Sequence, residues 1–255
     1  MAEDHRVSIS RIGGVGLIRI ERQAQKNAID ASMAATVTAA VRDLDADASC
    51  VGIVLSGSGG IFSAGADLNE RSDTSAEGWT YSDNASAVML RTVKACGTTV
   101  VAAVEGWAVG LALGLVGAAT YAVGAAGSRY RLPEAGLGFF PLGVAPYLVE
   151  RMRPTAVVDL ALSGRPASLD DALASGLVTH TAPAGGAEET AVALVEDLAG
   201  LPAQVLEHAR AFLRTCSSAK EGDGIVDWCE QQMTTVVLAR NSSSARGQQE
   251  GTDPR

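Results

Sequence analysis

Two short apolar runs, Val7–Ile12 and Val15–Ile20, flank Gly13-Gly14 and predict an antiparallel hairpin. Asp30 then stands before a helical pattern to about Asp45, with Met33, Val37, Ala40, Val41 and Leu44 on one face. Cys50–Leu55 and Thr98–Val104 are continuous apolar runs, the pattern of strands buried on both faces. Thr74–Glu77 has the form of a capping box, predicting a helix that runs towards Lys94. Tyr121–Val123 and Ser128–Leu132 read as short strands. Beyond Pro133 the periodicity turns helical: Thr155–Ser163 stops at Gly164, and Ser168–Asp171 opens a helix that stops at Gly176. Ala187–Leu198 and Pro202–Leu213 follow, and Asn241–Arg255 is polar and rich in Pro, Gly and Ser. The pattern predicts an α/β core with a helical C-terminal portion, the strand-rich and helix-rich parts dividing near residues 185–200.

One segment pulls against a soluble reading. Gly106–Gly127 carries no charge over 22 residues, and Gly110 and Gly114 form a GxxxG. Thirteen of these residues are Gly or Ala, however, too few large side chains for a membrane segment. A buried turn of sheet and helix is therefore expected. With 47% hydrophobic and 19% charged residues the chain is globular rather than disordered. A net charge of −9 with no dense Lys/Arg run argues against nucleic acid or an anionic membrane as partner. Cys50, Cys96, Cys216 and Cys229 are scattered without CxxC or a neighbouring His, so no metal site or disulfide framework is expected. The N-terminus lacks a basic-then-apolar signal pattern, and a cytoplasmic location is expected.

Little in the usual motifs carries chemistry. The Gly57–Gly60 loop is neither GxGxxG nor a P-loop. His5, His180 and His208 stand alone and no GxSxG marks a nucleophile, so the histidines read as structural or surface residues. Two strand-to-helix passages, Phe62–Leu68 and Gly106–Leu111, are built from small residues that let a ligand approach backbone N–H groups. Two converging amides would make an oxyanion hole; the same residues also fit plain tight packing of two turns.

Several segments in order resemble the crotonases, the enoyl-CoA hydratase/isomerase superfamily, from about Arg22 to Gly247. Arg22–Ile29 (RQAQKNAI) is similar to the family's R-P-x-x-x-N-A-L, with Gln23 in place of proline. Val54–Gly59 and Phe62–Leu68 match V-L-x-G-x-G and F-S-A-G-x-D-L. Val101–Gly110 matches the segment before the second oxyanion amide, Leu132–Gly138 the P-E-x-x-L-G segment, and Ala172–Val178 the A-x-x-x-G-L-V segment. The resemblance implies a spiral of ββα turns over residues 1–195 and a helical C-terminal trimerisation region over 196–255. The assembly it implies is a homotrimer or a dimer of trimers. It also implies an acyl-CoA or acyl-carrier-protein thioester as substrate, with no cofactor beyond the coenzyme A of the substrate itself. The amides of Ala66 and Leu111 would bind the thioester carbonyl. Ala24, Gln25, Lys26 and Ala28 would line the CoA path with Ala64, Asp67 and Leu68, and Gly110 and Leu142 would border the acyl group.

The departures from the family pattern narrow the chemistry. Hydratases of the family use two glutamates twenty positions apart; here the second is Glu134 and the first position is Gly114. Leu111-Ala112 replaces a Gly-Gly, Pro141–Ala145 replaces P-G-x-G-G near the acyl pocket, and the A-F-x-E-K-R tail is missing after Gly247. Taken alone, Glu134 beside Pro133 reads as a solvent-facing carboxylate; the family context makes it catalytic. Syn addition of water needs a base and a proton donor, whereas moving a double bond needs one carboxylate to take and return a proton. The reading is an enoyl-CoA isomerase or atypical hydratase with Glu134 as proton shuttle. A decarboxylating or C–C bond-forming crotonase is the rival within the class, Phe62–Trp79 being similar to carboxymethylproline synthases. Arg71 or Arg131 would then meet the substrate carboxylate. A non-catalytic acyl-CoA binder is the rival outside it. Asp73, Glu77, Asp83 and Tyr81 are reserve proton carriers or surface residues. Trp79, Trp107, Phe139, Phe140 and Leu142 bound the acyl pocket, or fill the core or a trimer contact.

Overall fold

A computed structural model describes residues 6–70, 80–202, 205, 206, 209, 230, 233–235, 237 and 238. The expected box at Thr74–Glu77, most of the Pro202–Leu213 helix and the polar tail lie outside these residues. So do Arg71, Asp73, Trp79, His5, His208, Cys216 and Cys229.

Strands β1 (Val7–Ile12) and β2 (Val15–Ile20) form the expected antiparallel hairpin, Ile12 paired with Val15 across the Gly13-Gly14 turn. From β2 onwards the sheet is parallel, in the order β1-β2-β3-β4-β6-β9. Its members are β3 (Gly52–Gly57), β4 (Val100–Val104), β6 (Tyr121–Ala125) and β9 (His180–Ala182). A smaller sheet pairs β5 (Trp107–Val109), β7 (Arg129–Arg131) and β8 (Ala167–Ser168).

Why the central strands read as unbroken apolar runs is plain from their two faces. Ile53, Leu55, Val100, Ala102 and Val104 join one core, while Val54, Val101 and Ala103 alternate into a second. The first core is covered by helices α1 (Ala31–Ala46), α2 (Ala85–Ala95) and α3 (Leu111–Ala118). The second is closed by Ala187, Ala191, Val192 and Val195 of helix α7 (Ala187–Ala199). Each large apolar side chain buried this way contributes about 1.5–3 kcal/mol. Helix α7 is also pinned by polar contacts: Glu188 accepts from Arg19 and Ser56, and the Ala187 amide donates to Glu105 at 2.9 Å.

Helix α1 follows the expected logic. The Asp30 side chain accepts from the Met33 amide, and every residue of the expected apolar face is buried. Helices α5 (Pro154–Ser163) and α6 (Leu169–Ser175) end at Gly164 and Gly176, with Ser168 and Asp171 forming the capping box of α6. The short α4 (Ala145–Val149) precedes them.

Two expectations change, and a third is met. Helix α2 begins at Ala85, because Asn84 accepts from the Ser86 amide and a separate turn, Tyr81–Asp83, precedes it. The region after Pro133 is not purely helical: β9 adds a strand beside β6, its short polar sequence leaving no periodic trace. The charge-free stretch divides into β5, the eight-residue α3 and β6, and among the described residues no helix is long and apolar enough to cross a membrane.

Candidate active site

Two strand ends and one turn build the site. After β3 the chain runs through Ser63–Asp67 between two neighbours. On one side Ala64 donates to Lys26, Ile29 donates to Gly65, and Asp67 donates to Ile29. On the other, Ser63 donates to Trp107 and accepts from Val109. Because the Gly65 carbonyl and the Asp67 amide both point at Ile29, the Ala66 amide between them points the opposite way. That direction is towards the start of α3. A Cβ built on Gly65 would lie 2.4 Å from the Val109 carbonyl and 3.3 Å from the Leu111 nitrogen, so only glycine allows this approach, at φ +92°. Leu111 is the first residue of α3, and its amide has no acceptor within the helix. Among the described residues neither the Ala66 nor the Leu111 amide has a hydrogen-bond acceptor.

Glu134 arrives from the second sheet. Val109 pairs with Arg131, and the Gly110 amide donates to the Arg131 carbonyl at 2.9 Å. This fixes the Glu134–Leu137 turn over Gly110. Gly110 has φ 54° and ψ −118°, and a Cβ there would stand 2.8 Å from Glu134 Oε1. Contrary to the solvent-facing reading, Glu134 is only 9% exposed, and among the described residues Oε2 has no hydrogen-bond partner. Burial raises its pKa above the ordinary carboxylate value, against a smaller opposing pull from its own backbone N–H.

These groups face one cavity of about 480 Å³. Of the candidate site residues, Ala64, Ala66, Asp67, Leu68, Gly110, Leu111 and Glu134 line it. Ala24, Gln25, Lys26, Ala28 and Leu142 do not: the first three are exposed on the turn beside Ala64, and Leu142 leaves the wall to Pro141, Gly143 and Val144. Of the candidate acyl-pocket aromatics, Phe139 lines the cavity while Trp107 and Phe140 do not. Of the described reserve acids, Tyr81 lines it, and Asp83 instead caps its own turn through Thr80. Arg131 donates to the Gly164 carbonyl at 2.7 Å, away from the cavity.

The remaining carboxylates of the wall are committed. Asp67 accepts from the Asn69 amide and pairs with Arg22 at 2.7 Å, contacts that hold its carboxyl below the usual range. Glu70 accepts from the Ala31 amide at 2.8 Å. Sequence reasoning missed Met233 and Val237, which complete the wall; their four-residue spacing was the available signal. It also gave no role to Asn27. That buried side chain accepts from the Arg22 amide and donates to the Ser58 and Ile61 carbonyls, locking the Arg22–Ile29 motif against the loop after β3.

The position of the family's first glutamate is filled. A Cβ on Gly114 would meet Leu90 at 2.9 Å and Val144 at 3.4 Å, and Gly114 does not line the cavity.

Fold and site together define a crotonase, and the comparisons agree: the "Enoyl-CoA hydratase/isomerase" family model matches residues 10–247. The chain belongs to that family of enzymes acting on acyl-CoA thioesters. It is 28% identical to "Probable enoyl-CoA hydratase echA8" of Mycobacterium bovis, over 86% of this chain and 85% of that one. It is 27% identical to "Enoyl-CoA delta isomerase 2" of Homo sapiens, over 79% of this chain and 52% of that one. The fold matches the crystal structure of an enoyl-CoA hydratase/isomerase from Mycobacterium paratuberculosis with TM-score 0.77 at 21% identity, covering 91% of this chain and 94% of that one.

Proposed function

We propose that the protein is an enoyl-CoA isomerase that moves a double bond through a thioester enolate, with Glu134 as its one proton shuttle. The observation that carries this reading is the contrast between positions 134 and 114: a buried, unpaired carboxylate at one, Leu90 and Val144 closing over the other. The Glu134 carboxylate takes a proton from C2 of a 3-enoyl thioester, and the electron pair moves onto the thioester oxygen. The Ala66 and Leu111 amides receive that charge, and because it develops only in the transition state, they lower the barrier rather than simply tightening binding. Protonated Glu134 then returns the proton at C4, leaving the 2-enoyl product. A raised pKa suits a group that must both accept and give a proton.

Decarboxylation of a malonyl-type thioester is the less supported course. Among the described residues no Lys, Arg or His lines the cavity, whereas Asp67, Glu70 and Glu134 do, so a second substrate carboxylate would meet repulsion. The exposed Ala24–Lys26 turn, tied to Ala64 through the Lys26 carbonyl, lies where coenzyme A or a carrier-protein arm would run to the cavity. A homotrimer or dimer of trimers, and a reaction with no cofactor beyond the CoA of the substrate, belong to the same proposal.

The test is mass spectrometry of the protein with 3-enoyl-, 2-enoyl- and malonyl-type CoA thioesters in D₂O. Deuterium entry with double-bond migration is expected, falling about 10²–10⁴-fold in Glu134→Gln. Loss of CO₂ instead would move the assignment to decarboxylation, and binding without exchange in any thioester would leave an acyl-CoA binder.

A further inference from the structure

Helix α3 presents the Leu111 amide at one end, and the side chain of Arg151 holds the other. Every residue of α3 is buried, no side chain caps its start, and its last turn contains no basic residue. Arg151, just beyond α4, turns its guanidinium back onto it. Nε donates to the Gly117 carbonyl at 3.1 Å, Nη2 donates to the Ala119 carbonyl, and Nη1 donates to the Leu177 carbonyl beyond α6 at 3.4 Å. Carbonyls at a helix C-terminus lack partners within the helix and carry partial negative charge, so a cation with several N–H groups answers both needs. Burial lowers the pKa of Arg151 to about 10, against a smaller pull from Glu150, and the group keeps its charge at neutral pH. The same segment also presses on the side of α3. A Cβ on Gly117 would stand 2.8 Å from the Tyr147 carbonyl of α4, and one on Gly114 would stand 3.4 Å from Val144. On the far side a Cβ on Gly176 would lie 2.8 Å from the Arg151 carbonyl. Val144–Arg151 is a clamp, and Arg151 closes it.

We propose that Arg151 is a positioning residue for the oxyanion hole: by fixing the C-terminus of α3 it sets where the Leu111 amide stands relative to the Ala66 amide, and so how strongly the two polarise a thioester carbonyl. The proposal rests on the reading of these two amides as the carbonyl's donors. Arg151 does not line the cavity and exchanges no proton. Its influence is mechanical. The eight residues of α3 span about 12 Å at the usual helical rise, and a hydrogen-bonded rod of that length passes a shift at one end to the other. The receiving end has no slack, since a Cβ on Gly65 would already lie 3.3 Å from the Leu111 nitrogen. Three N–H groups of one planar fork meet three carbonyls, an arrangement that the point charge of a lysine does not reproduce. Because the donors act on charge that develops in the transition state, their misplacement falls on kcat rather than on KM.

Infrared difference spectra of bound butanoyl-CoA, labelled with ¹³C at the thioester carbonyl, read the hole itself, because hydrogen bonds to the carbonyl oxygen lower its stretching frequency. The unmodified protein is expected to lower that frequency on binding, and Arg151→Met to lower it less. Isomerisation of a 3-enoyl-CoA by Arg151→Met should show kcat down about tenfold with KM within about twofold, the scale of a sub-ångström misplacement. Arg151→Lys keeps the charge but loses the fork, and should fall between the two in both measurements. An undiminished frequency shift in Arg151→Met, whatever its kcat or melting temperature, overturns the proposal, because the arginine then only stabilises the fold. If the methionine variant does not fold, an undiminished shift in Arg151→Lys decides in the same way. No shift in the unmodified protein is a different result: it refutes the two-amide reading, and the role of Arg151 falls with it.

Discussion

Of the three carboxylates that line the cavity among the described residues, two behave as opposites. Asp67 meets an arginine and a backbone amide, and its charge is favoured. Glu134 is buried over Gly110 with one oxygen unpaired, and its charge is disfavoured. The first arrangement stabilises an architecture, tying the Arg22 motif to the loop that presents the Ala66 amide. The second gives up stability to keep a base free beside two open amides. A buried acceptor without a partner costs about 1–3 kcal/mol; among the described residues the Ser58 hydroxyl and Glu134 Oε2 are buried in that state, and of the two only Glu134 lines the cavity. Family membership fixes acyl-CoA thioesters as the substrate class; this contrast is what favours Glu134 over Asp67 in the proposed mechanism.

The largest effect is expected where the contrast is built into the backbone. Gly110→Ala places a methyl 2.8 Å from Glu134 Oε1 at a φ of 54° and ψ of −118° that side chains rarely adopt. Relief requires moving either the carboxylate or the Leu111 amide. We expect kcat to fall about 10²–10³-fold, the loss typical of one oxyanion donor. Thermal unfolding should show destabilisation of about 1–3 kcal/mol. Asp67→Asn moves neither group and should leave kcat within about threefold, the effect of a peripheral ion pair. Equal losses in the two variants would erase the distinction between the carboxylates.

Much of this was legible in sequence, and the rest was not for definite reasons. The hairpin at Gly13-Gly14, the Asp30 cap and the Gly164 and Gly176 stops are local: the residues that decide them are neighbours in the chain. The positions of Ala66 and Leu111 followed from motif resemblance, and the backbone directions then gave the physical reason. The burial of Glu134 could not be read beside Pro133, because it comes from the pairing of Val109 with Arg131 across two strands. Strand β9 was hidden for a similar cause. Its short segment, His180–Ala182, is a strand only because β6 offers an edge some sixty residues earlier. Tyr81 was legible as a candidate donor, but its place in the wall depends on Gly143 and Thr234.

A pH profile sharpens the same contrast. In the proposed mechanism the base form of Glu134 starts the reaction, so kcat/KM for isomerisation should rise with pH. Its midpoint should lie above the ordinary glutamate value of 4.5, in the direction burial dictates. Asp67→Asn should leave that midpoint in place. A midpoint at or below 4.5 would mean that Glu134 is solvated during turnover and that its burial has no part in catalysis.

The smallest effect is on stability, where the two carboxylates should carry opposite signs. The raised pKa of Glu134 means that folding is favoured while the carboxyl is protonated, below its unfolded value, and that this contribution is lost as pH rises through the folded value. Glu134→Gln removes the penalty, so at pH 7 it should be more stable than the parent by about 1 kcal/mol, the low end of the cost of a buried unpaired group. The gain should shrink as pH falls towards 4.5. Asp67 has a lowered pKa, so its contribution is present above its unfolded value of 3.8 and is lost as pH falls through the folded value. Asp67→Asn should therefore cost stability at pH 7, by about 0.5 kcal/mol for a pair still reached by solvent, and cost nothing in acid. Denaturant melts of the Glu134 variant at pH 7 and about pH 4, and of the Asp67 variant at pH 7 and about pH 2, read all four differences. Destabilisation by Glu134→Gln at pH 7 would show that the carboxylate is held by interactions, and would remove the stability argument for its catalytic role.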